Sequence, residues 1–316
     1  GHRNNFQGLA TDVLASVALL DDAKQQLSEW MKSEVVSNPF DGMKTEIQYQ
    51  PLGVVGIISP WNFPLNLAFG PLAGVFAAGN RAVIKPSELT PRTSELLAQL
   101  VPQYFDASEL RIVTGNADVG ASFSTLAFDH LIFTGSTNVG KHVMRAAAEN
   151  LVPVTLELGG KSPVVLTEHF DIKTAVERVL TVKTFNAGQI CISPDYVMMP
   201  EVFNTAFIEH AQSFIQDVYG ARFFANDDFT SIISDKHFAR LQHLLEDAKA
   251  KGATLVALGQ ESKISDQTTR KIVPMLVFGV TDDMLMMQEE IFGPLLPIKN
   301  LQSVDDAIAY INAHPR

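Results

Sequence analysis

The sequence predicts an α/β protein in which a doubly wound parallel sheet is followed by a second α/β domain. From Val54 onward, short runs rich in β-branched residues alternate with longer helical stretches, which is typical of parallel strands joined by crossover helices. The same alternation restarts after Lys161. The chain has 316 residues, of which 46% are hydrophobic and 19% charged, and this composition is sufficient for two substantial cores.

The first fifty residues follow other periods. TEIQYQ at 45–50 alternates polar and apolar residues, which predicts a strand in either an arm that pairs subunits or an ordinary sheet edge. Apolar residues before it recur at helical spacing and predict a surface helix with one buried face, namely Leu9, Val13, Val17, Leu20, Leu27 and Met31. We therefore expect residues 1–50 to form an N-terminal helical segment with an oligomerisation strand.

Residues 51–158 and 159–316 are predicted to be the two domains. The first has strands VVGIIS, RAVIK, LRIVT, HLIFT and VTLEL, with helices at 65–79, 91–105, 117–127 and 138–150. The second begins with strand PVVL and helix 171–187 and continues with strands TLVAL, IVPMLVF and LLPIKN. Because no linker composition separates them, the boundary at Gly159 and Gly160 is expected to be a tight hinge.

Charge and apolar runs narrow the classes of partner. A formal net charge of −11 disfavours binding to nucleic acid or to an anionic membrane. The longest apolar run, from Leu67 to Ala78, is interrupted by Pro71 and is too short to span a bilayer. No export signal and a single cysteine favour the cytoplasm. The helical pattern before Pro315 favours a further element, so we expect a C-terminally truncated chain.

The only cysteine, Cys191, ends the string FNAGQIC, and Glu157 lies upstream of it in ELGG. A thiol nucleophile acts as the thiolate and needs a nearby base or field, so this pairing suggests nucleophilic catalysis with a carboxylate base. A solitary cysteine also fits the role of a small buried apolar residue. From these two residues alone, both interpretations stay open.

Four other motifs have a chemical interpretation and a purely structural one. FTGSTNVG (133–140) suits a phosphate at a helix N-terminus or a simple N-cap. KPSE (85–88) suits ribose hydroxyls or a solvated turn. PWNFP (60–64) places the Asn62 amide where it could stabilise an oxyanion, or in an Asx turn. EEIFGP (289–294) alone indicates a turn.

Two further chemistries are disfavoured. GGKS (159–162) lacks the earlier glycine of a phosphate-binding P-loop, because Thr155 occupies that position. The eight histidines show no zinc-binding spacing and the single cysteine excludes a multi-thiolate site, so no metal is expected. Hydrolysis by a cysteine–histidine pair remains formally open.

In this order, PWNFP, KPSE, FTGSTNVG, ELGG, GQIC and EEIFGP resemble the aldehyde dehydrogenase superfamily over nearly the whole segment from Gln48 to Lys299. The cysteine followed by ISPDY resembles the class-3-like branch, within it the bacterial coniferyl aldehyde dehydrogenases. The resemblance implies a Rossmann-like NAD-binding domain, an α/β catalytic domain and an oligomerisation arm. It also implies that an aldehyde, aromatic in this branch, is oxidised to the carboxylic acid.

The resemblance assigns three catalytic roles. Cys191 attacks the aldehyde carbon, and the Asn62 side chain with the Cys191 backbone N–H stabilises the oxyanion. After hydride transfer, Glu157 activates the water that hydrolyses the thioester.

The family pattern also implies NAD as cofactor, with NADP as a further candidate because the branch is permissive. Glu88 favours NAD because a carboxylate at the ribose repels a 2′-phosphate. The residues implied in cofactor binding are Ser59, Pro60, Trp61, Lys85, Ser87, Glu88, Gly115, Gly135, Ser136, Val139, Leu158, Gly159, Glu290 and Phe292.

Two alternatives within the same fold stay open. An acylating enzyme would transfer the thioester to coenzyme A, although Glu157 as a hydrolytic base argues against it. A catalytically silent member would bind ligand without turnover. For the complete protein, the expected partners are a small-molecule aldehyde and a second identical subunit.

Overall fold

The computed structural model describes residues 3–315. Gly1, His2 and Arg316, which the sequence analysis placed in the first and last segments, lie outside the described residues. The described chain divides into two compact units, one of them Phe6–Leu158 and the other residues 159–315 with residues 3–5. The functional assignment of these parts as cofactor-binding and catalytic domains stays a prediction.

Regular structure occupies most of the described chain. The α-helices are α1 (Asn5–Gly8), α2 (Ala15–Trp30), α3 (Asn66–Ala77), α4 (Pro91–Leu100), α5 (Ala117–Ser124), α6 (Thr137–Ala148), α7 (Ile172–Thr184), α8 (Asn204–Tyr219), α9 (Asp235–Ala250), α10 (Leu285–Gln288) and α11 (Val304–Ala313). The strands are β1 (Glu34–Val36), β2 (Thr45–Ile47), β3 (Val54–Ile58), β4 (Arg81–Lys85), β5 (Leu110–Ile112), β6 (His130–Gly135), β7 (Val154–Leu158), β8 (Pro163–Val165), β9 (Tyr196–Met199), β10 (Thr254–Ala257), β11 (Ser265–Asp266), β12 (Lys271–Ile272), β13 (Met275–Phe278) and β14 (Leu295–Asn300). A π-helical stretch, Leu9–Leu14, joins α1 to α2, and 3-10 turns occupy Val101–Gln103, Phe185–Gly188 and Glu201–Phe203.

The unit Phe6–Leu158 is built on a parallel five-stranded sheet with the order β5-β4-β3-β6-β7. All five strands predicted for this region are confirmed, with α3, α4, α5 and α6 between them. One apolar cluster packs α3 on one face of the sheet, and a second packs α5 and α6 on the other face. The sheet is therefore doubly wound. The chain adds β4 and β5 on one side of β3 and then β6 and β7 on its other side. Ligands of such sheets bind beside this switch point, at the carboxyl ends of the strands.

The predicted buried face of the first helix is wrong at its start. Leu9, Val13 and Val17 are 52%, 41% and 48% exposed, whereas Asp12 and Ser16 on another face are buried. The reason is that the helix approaches α3 through small and polar residues, and Asp12 hydrogen-bonds to the start of α3. Further along the same periodicity, Leu20 and Leu27 are half-buried, so only its first part lies on an exposed face of the described chain.

The predicted strand at 45–50 forms only over Thr45–Ile47, where it pairs antiparallel with β1. The β1 strand was not predicted. All three residues of each strand are exposed in the described chain. Two three-residue strands alone cannot bury a side-chain layer.

The other unit contains a mixed sheet with the order β10-β13-β14-β9-β8, in which only β10 and β13 pair antiparallel. Its large apolar core packs α7, α8 and α9 against this sheet. The predicted second α/β pattern is confirmed, but β9 was missed and IVPMLVF is divided between β12 and β13. Helix α7 ends at Thr184, short of the predicted position 187. Among residues 3–315, no helix combines the length and apolarity that a membrane span requires.

Candidate active site

Asn62 lies in the PWNFP segment between β3 and α3 and is 5% exposed. Both ends of this segment are held within the Phe6–Leu158 unit. The Ser59 N–H donates to the Lys85 carbonyl at 3.1 Å. At the other end, the buried Asp12 carboxylate accepts the N–H groups of Leu65 and Asn66 at 2.9 and 3.0 Å. A carboxylate at a helix N-terminus also interacts favourably with the helix dipole, so the loop that carries Asn62 is firmly anchored.

The KPSE motif ends β4 at the same edge of the sheet. Lys85 is 3% exposed, and its ammonium group donates to the Glu88 carboxylate at 2.8 Å. Burial alone raises the pKa of Glu88, but the hydrogen bond and charge of Lys85 prevail and hold it below its ordinary value. The Ser87 hydroxyl accepts the Leu89 N–H at 3.2 Å and shapes the turn. The motif therefore presents an exposed, ionised carboxylate on a buried lysine.

Two buried hydroxyl groups have no hydrogen-bond partner in the part of the chain that the structure describes. One belongs to Ser59, which lies directly after β3 and directly before Pro60 and Trp61. The other belongs to Ser193, two residues after Cys191. Unsatisfied buried hydroxyls are rare in native proteins and are compatible with a ligand that supplies the missing partner. Each unit thus has one such group close to a predicted site residue.

The Gly135-Ser136 turn connects β6 to α6. Ser136 is the N-cap residue, and its hydroxyl accepts the Val139 N–H at 3.4 Å. The N-cap interpretation of this motif is therefore confirmed. Residues 136–139 are exposed, which leaves the first N–H groups of α6 accessible. A Cβ on Gly135 would meet the Phe133 ring at 2.6 Å. The turn thus needs glycine and presents a helix N-terminus suited to an anion.

Glu157 and Leu158 end β7, which pairs with β6 in the register Thr134 with Glu157 and Gly135 with Leu158. In the same sheet, Ile58 of β3 pairs with Lys85 of β4. The structure therefore brings the ends of the PWNFP, KPSE, FTGSTNVG and ELGG motifs to one edge of one sheet. Glu157 is exposed there. Gly115 follows β5 and therefore lies at the same edge of the sheet. Its φ is 152°.

Cys191 lies in the other unit and follows a left-handed turn. Asn186, Ala187 and Gly188 have φ values of 49°, 54° and 72°. Such a conformation costs on the order of 1–3 kcal/mol for a residue other than glycine, and strain of this kind clusters at functional sites. A Cβ on Gly188 would meet the backbone of Gly293, so only glycine permits this approach. The turn leaves Cys191 partly exposed.

Gln189 holds this turn. It is 2% exposed, and its amide donates to the carbonyls of Asn186 at 2.9 Å and Ser231 at 3.2 Å. Its side-chain oxygen accepts the Ile233 N–H at 3.0 Å. A second link runs from the Asn186 amide to the Gln189 carbonyl at 3.1 Å. These bonds offset the strain of the turn before Cys191.

Glu290 and Phe292 lie in the segment that packs against this turn. Burial raises the pKa of Glu290 to about 7, and repulsion by Asp195 adds to it, against the stabilising effects of the Gly160 N–H, Arg240 and Lys183. Phe292 has a φ of 49°, a further left-handed residue. Gly159 lies next to this segment, because a Cβ on it would collide with the Glu290 carboxylate.

Sequence reasoning missed several residues that hold the site. Asp12 was assigned to no role, Gln189 was noted only as part of a motif, and Lys161 and Asp195 were not singled out. Asp12, Gln189 and Asp195 each have a hydrogen-bond partner that is 42 to 96 residues away along the chain. The available signal was a polar residue within an otherwise apolar or glycine-rich run, which indicates a satisfied buried group. Within residues 3–315 there is no group of three or more His, Cys, Asp or Glu residues suited to a metal ion.

A switch point in a parallel sheet, with an exposed helix N-terminus after β6 and the acidic Glu88 after β4, is typical of dinucleotide-binding α/β proteins. Comparison with known proteins gives the family. The profile of the Aldehyde dehydrogenase family matches residues 4–315. The chain therefore belongs to the aldehyde dehydrogenase family, as its six motifs predicted.

Individual relatives agree. The chain is 54% identical over 317 residues to the coniferyl aldehyde dehydrogenase of Pseudomonas sp. strain HR199, covering 100% of this chain and 66% of that protein. The substrate-bound state of Staphylococcus aureus AldH has a TM-score of 0.92 at 40% identity, covering 99% and 68% of the two chains. Mycobacterium tuberculosis aldehyde dehydrogenase complexed with NAD+ has a TM-score of 0.87 at 28% identity, covering 99% and 65%. The chain thus has the fold of the family and spans 66% of the length of the Pseudomonas relative.

Proposed function

We propose that this chain belongs to an enzyme that oxidises an aldehyde to its carboxylic acid with NAD or NADP. The observation that carries the proposal is the turn before Cys191, because three consecutive left-handed residues are retained there by buried hydrogen bonds. An inert cysteine gives no reason to maintain such strain, whereas a nucleophile must be held in a fixed orientation.

In the proposed reaction, the Cys191 thiolate adds to the aldehyde carbon and forms a thiohemiacetal. The Asn62 amide and the Cys191 N–H stabilise the oxyanion that forms on the former carbonyl oxygen. The cofactor, when bound, supplies the acceptor for the hydride that leaves this carbon. The carbon is thereby oxidised to a thioester on Cys191. Glu157 takes a proton from water, which attacks the thioester and releases the acid and the thiol.

The residues of the Phe6–Leu158 unit fit a dinucleotide. The buried Ser59 hydroxyl has an unfilled hydrogen-bonding capacity next to β3 within the described residues. Residues 136–139 leave the start of α6 accessible for a pyrophosphate. Lys85 and Glu88 form a pair of a donor and an acceptor, as ribose hydroxyls require. In the proposed assignment, Glu88 favours NAD because its ionised carboxylate repels the 2′-phosphate of NADP.

Glu290 and Phe292 are proposed to contact the nicotinamide ribose. The remaining cofactor contacts are assigned as the family pattern implies, at Pro60, Trp61, Ser87, Gly115, Gly135, Ser136, Val139, Leu158 and Gly159. For the substrate we propose an aromatic aldehyde of the coniferyl type, because a relative with 54% identity is a coniferyl aldehyde dehydrogenase. A homodimer in the cytoplasm is the proposed state of the whole protein.

The test is NADH formation with NAD and a panel of aromatic and aliphatic aldehydes. Cys191→Ala should abolish turnover, since no other thiol exists in the chain. Glu157→Gln should still form the thioester and release a burst of NADH, but it should not complete turnover. Glu149→Gln, an exposed glutamate at the end of α6, is the matched control and should behave as wild type. Undiminished turnover in Cys191→Ala would contradict the proposal.

Product analysis addresses the two alternatives. The proposal predicts the free acid, whereas an acyl-coenzyme A product would indicate the acylating reaction. Cofactor binding without NADH from any aldehyde would instead favour a silent member of the fold.

A further inference from the structure

The GGK segment, residues 159–161, lacks the P-loop pattern but contacts a carboxylate of the chain itself, that of Glu290. The Gly160 N–H lies close enough to the Glu290 carboxylate to lower the pKa of that carboxyl. At Gly159, a Cβ would overlap the carboxylate oxygens of Glu290, so glycine is needed for the side chain to lie there. Gly159 therefore leaves the space that the Glu290 side chain occupies.

Lys161, the next residue, binds the backbone of the same segment. Its ammonium group donates to the carbonyl of Met286 at 2.7 Å and to that of Glu289 at 3.1 Å. A third bond goes to the Asp195 carboxylate. The Lys161 side chain is 16% exposed, so these bonds are formed largely out of water and are the stronger for it.

Asp195 completes the arrangement from the other side. Its side chain is 4% exposed, and one carboxylate oxygen accepts the Ile291 N–H at 2.9 Å while the other accepts from Lys161. Its own N–H donates to the Ser162 carbonyl at 2.8 Å. Asp195 lies four residues after Cys191, so one carboxylate connects the loop of the nucleophile to the backbone beside Glu290.

A third side chain binds the same backbone from α9. The Arg240 guanidinium donates to the carbonyl of Glu290 at 3.1 Å and to that of Ile291. Together, side chains satisfy four carbonyls and one N–H between Met286 and Ile291. Such a density of bonds fixes the position of a short segment that has little regular structure of its own.

We infer that Lys161 and Asp195 are positioning residues that fix Glu290 and Phe292 relative to the Cys191 loop and thereby determine how tightly the nicotinamide half of the cofactor is held. The inference rests on the proposed function, because it takes Glu290 and Phe292 as cofactor contacts. It also gives the ELGGKS run two roles. Glu157 is the proposed base, and Lys161 positions the proposed cofactor contacts.

The charges around Glu290 provide a readout that a merely structural role would not change. Asp195 raises the pKa of Glu290, whereas Arg240 and Lys183 lower it. Lys183 is fully buried, and burial lowers its own pKa to about 8 against the attraction of Asp195. Asp195→Asn removes one negative charge and leaves both cations in place. The pKa of Glu290 should therefore fall, and the acid limb of NAD affinity should move to lower pH.

The experiment measures the Kd of this chain for NAD between pH 5.5 and 8.5, for wild type, Asp195→Asn, Asp195→Ala and Lys161→Met. We expect at least about tenfold weaker binding in Asp195→Ala and Lys161→Met, with partial rescue and the shifted acid limb in Asp195→Asn. Lys263→Met is the matched control, because it removes a lysine from the same unit that is exposed and forms an ion pair with Asp266. Its Kd should equal that of wild type.

Hydrogen exchange on the peptide 286–292 provides a measurement that needs no cofactor. Exchange there should accelerate in Asp195→Ala and stay at the wild-type rate in Lys263→Met. Unchanged exchange together with a wild-type Kd and acid limb would overturn the inference. If wild type itself binds no NAD, the proposed function fails, and the exchange data alone then decide whether the Lys161–Asp195 pair fixes the segment.

Discussion

Replacing Gln189 with alanine tests how the turn before Cys191 is held. The Gln189 side chain forms three hydrogen bonds at 2.9, 3.2 and 3.0 Å, with the carbonyls of Asn186 and Ser231 and with the Ile233 N–H. Alanine removes all three. It leaves the buried Ser231 carbonyl and the part-buried Ile233 N–H without these bonds, so the cost comes from both partners.

The expected magnitude follows from these bonds and from the strain that they retain. Three neutral hydrogen bonds contribute a net of about 1.5–4.5 kcal/mol to the free energy of unfolding. Relaxation of the left-handed Asn186 and Ala187 releases backbone strain, which offsets part of this loss. The loss of stability should therefore lie below the hydrogen-bond sum, and the relaxed turn should no longer hold Cys191 in one orientation.

A thiol reagent gives the most direct assay, because Cys191 is the only cysteine and every labelled thiol is this one. In Gln189→Ala we expect altered labelling kinetics at pH 7 and at least a tenfold loss of aldehyde-dependent NADH formation. Trp30 and Trp61 both lie in the Phe6–Leu158 unit, so hydrogen exchange rather than tryptophan fluorescence should follow stability around Gln189.

Gln103→Ala is the matched control, because that exposed glutamine donates to the Gln99 carbonyl at 3.0 Å on the surface. It should label and react as wild type. Wild-type labelling, exchange and activity in Gln189→Ala would refute the reasoning that buried hydrogen bonds retain the strained turn.

Two further predictions concern the same unit. Gly188→Ala should destabilise the chain more than Gly279→Ala in urea unfolding, since both have left-handed φ values, 72° and 69°, but only Gly188 has backbone atoms where the new Cβ would lie; equal midpoints would argue against the close contact. For Glu290, the folded pKa of about 7 exceeds the ordinary 4.5, so its stabilising contribution is full below pH 4.5 and is lost as the pH rises through 7. Glu290→Gln should therefore gain stability relative to wild type over this range, and a pH-independent difference would contradict the raised pKa.

The parallel sheet of the Phe6–Leu158 unit could be predicted because its signals are local. Each strand is a short β-branched run followed by a turn residue, and the helix starts after Ser136 and Asn116 have N-caps that the sequence displays. The same local logic failed for the first helix. Its apolar periodicity predicts a buried face, but at the start of the helix the buried residues are Asp12 and Ser16, and Asp12 hydrogen-bonds to the backbone before α3.

The chemistry of the site could be predicted only as far as motifs reach. Asn62, Glu157 and Cys191 are visible because their neighbours form recognisable strings, whereas Asp195 has no string of its own. Its role depends on Ile291, which is 96 residues away, and no periodicity within one chain reports such a pair. A motif gives the residues that perform chemistry. The residues that hold them in place emerge only when the backbone brings distant segments together.

GGKS illustrates how a motif can be rejected for one function and still have another structural role. Thr155 excludes the P-loop, yet the properties that make a P-loop, small residues, a free N–H and a lysine, remain in the segment. In this chain they bind the Glu290 carboxylate and the Met286 and Glu289 carbonyls instead of a phosphate. Backbone N–H groups and an ammonium group recognise any oxygen anion or carbonyl that fits between them. The ligand is therefore decided by which segment the fold places opposite, and here that segment is the one that carries Glu290 and Phe292.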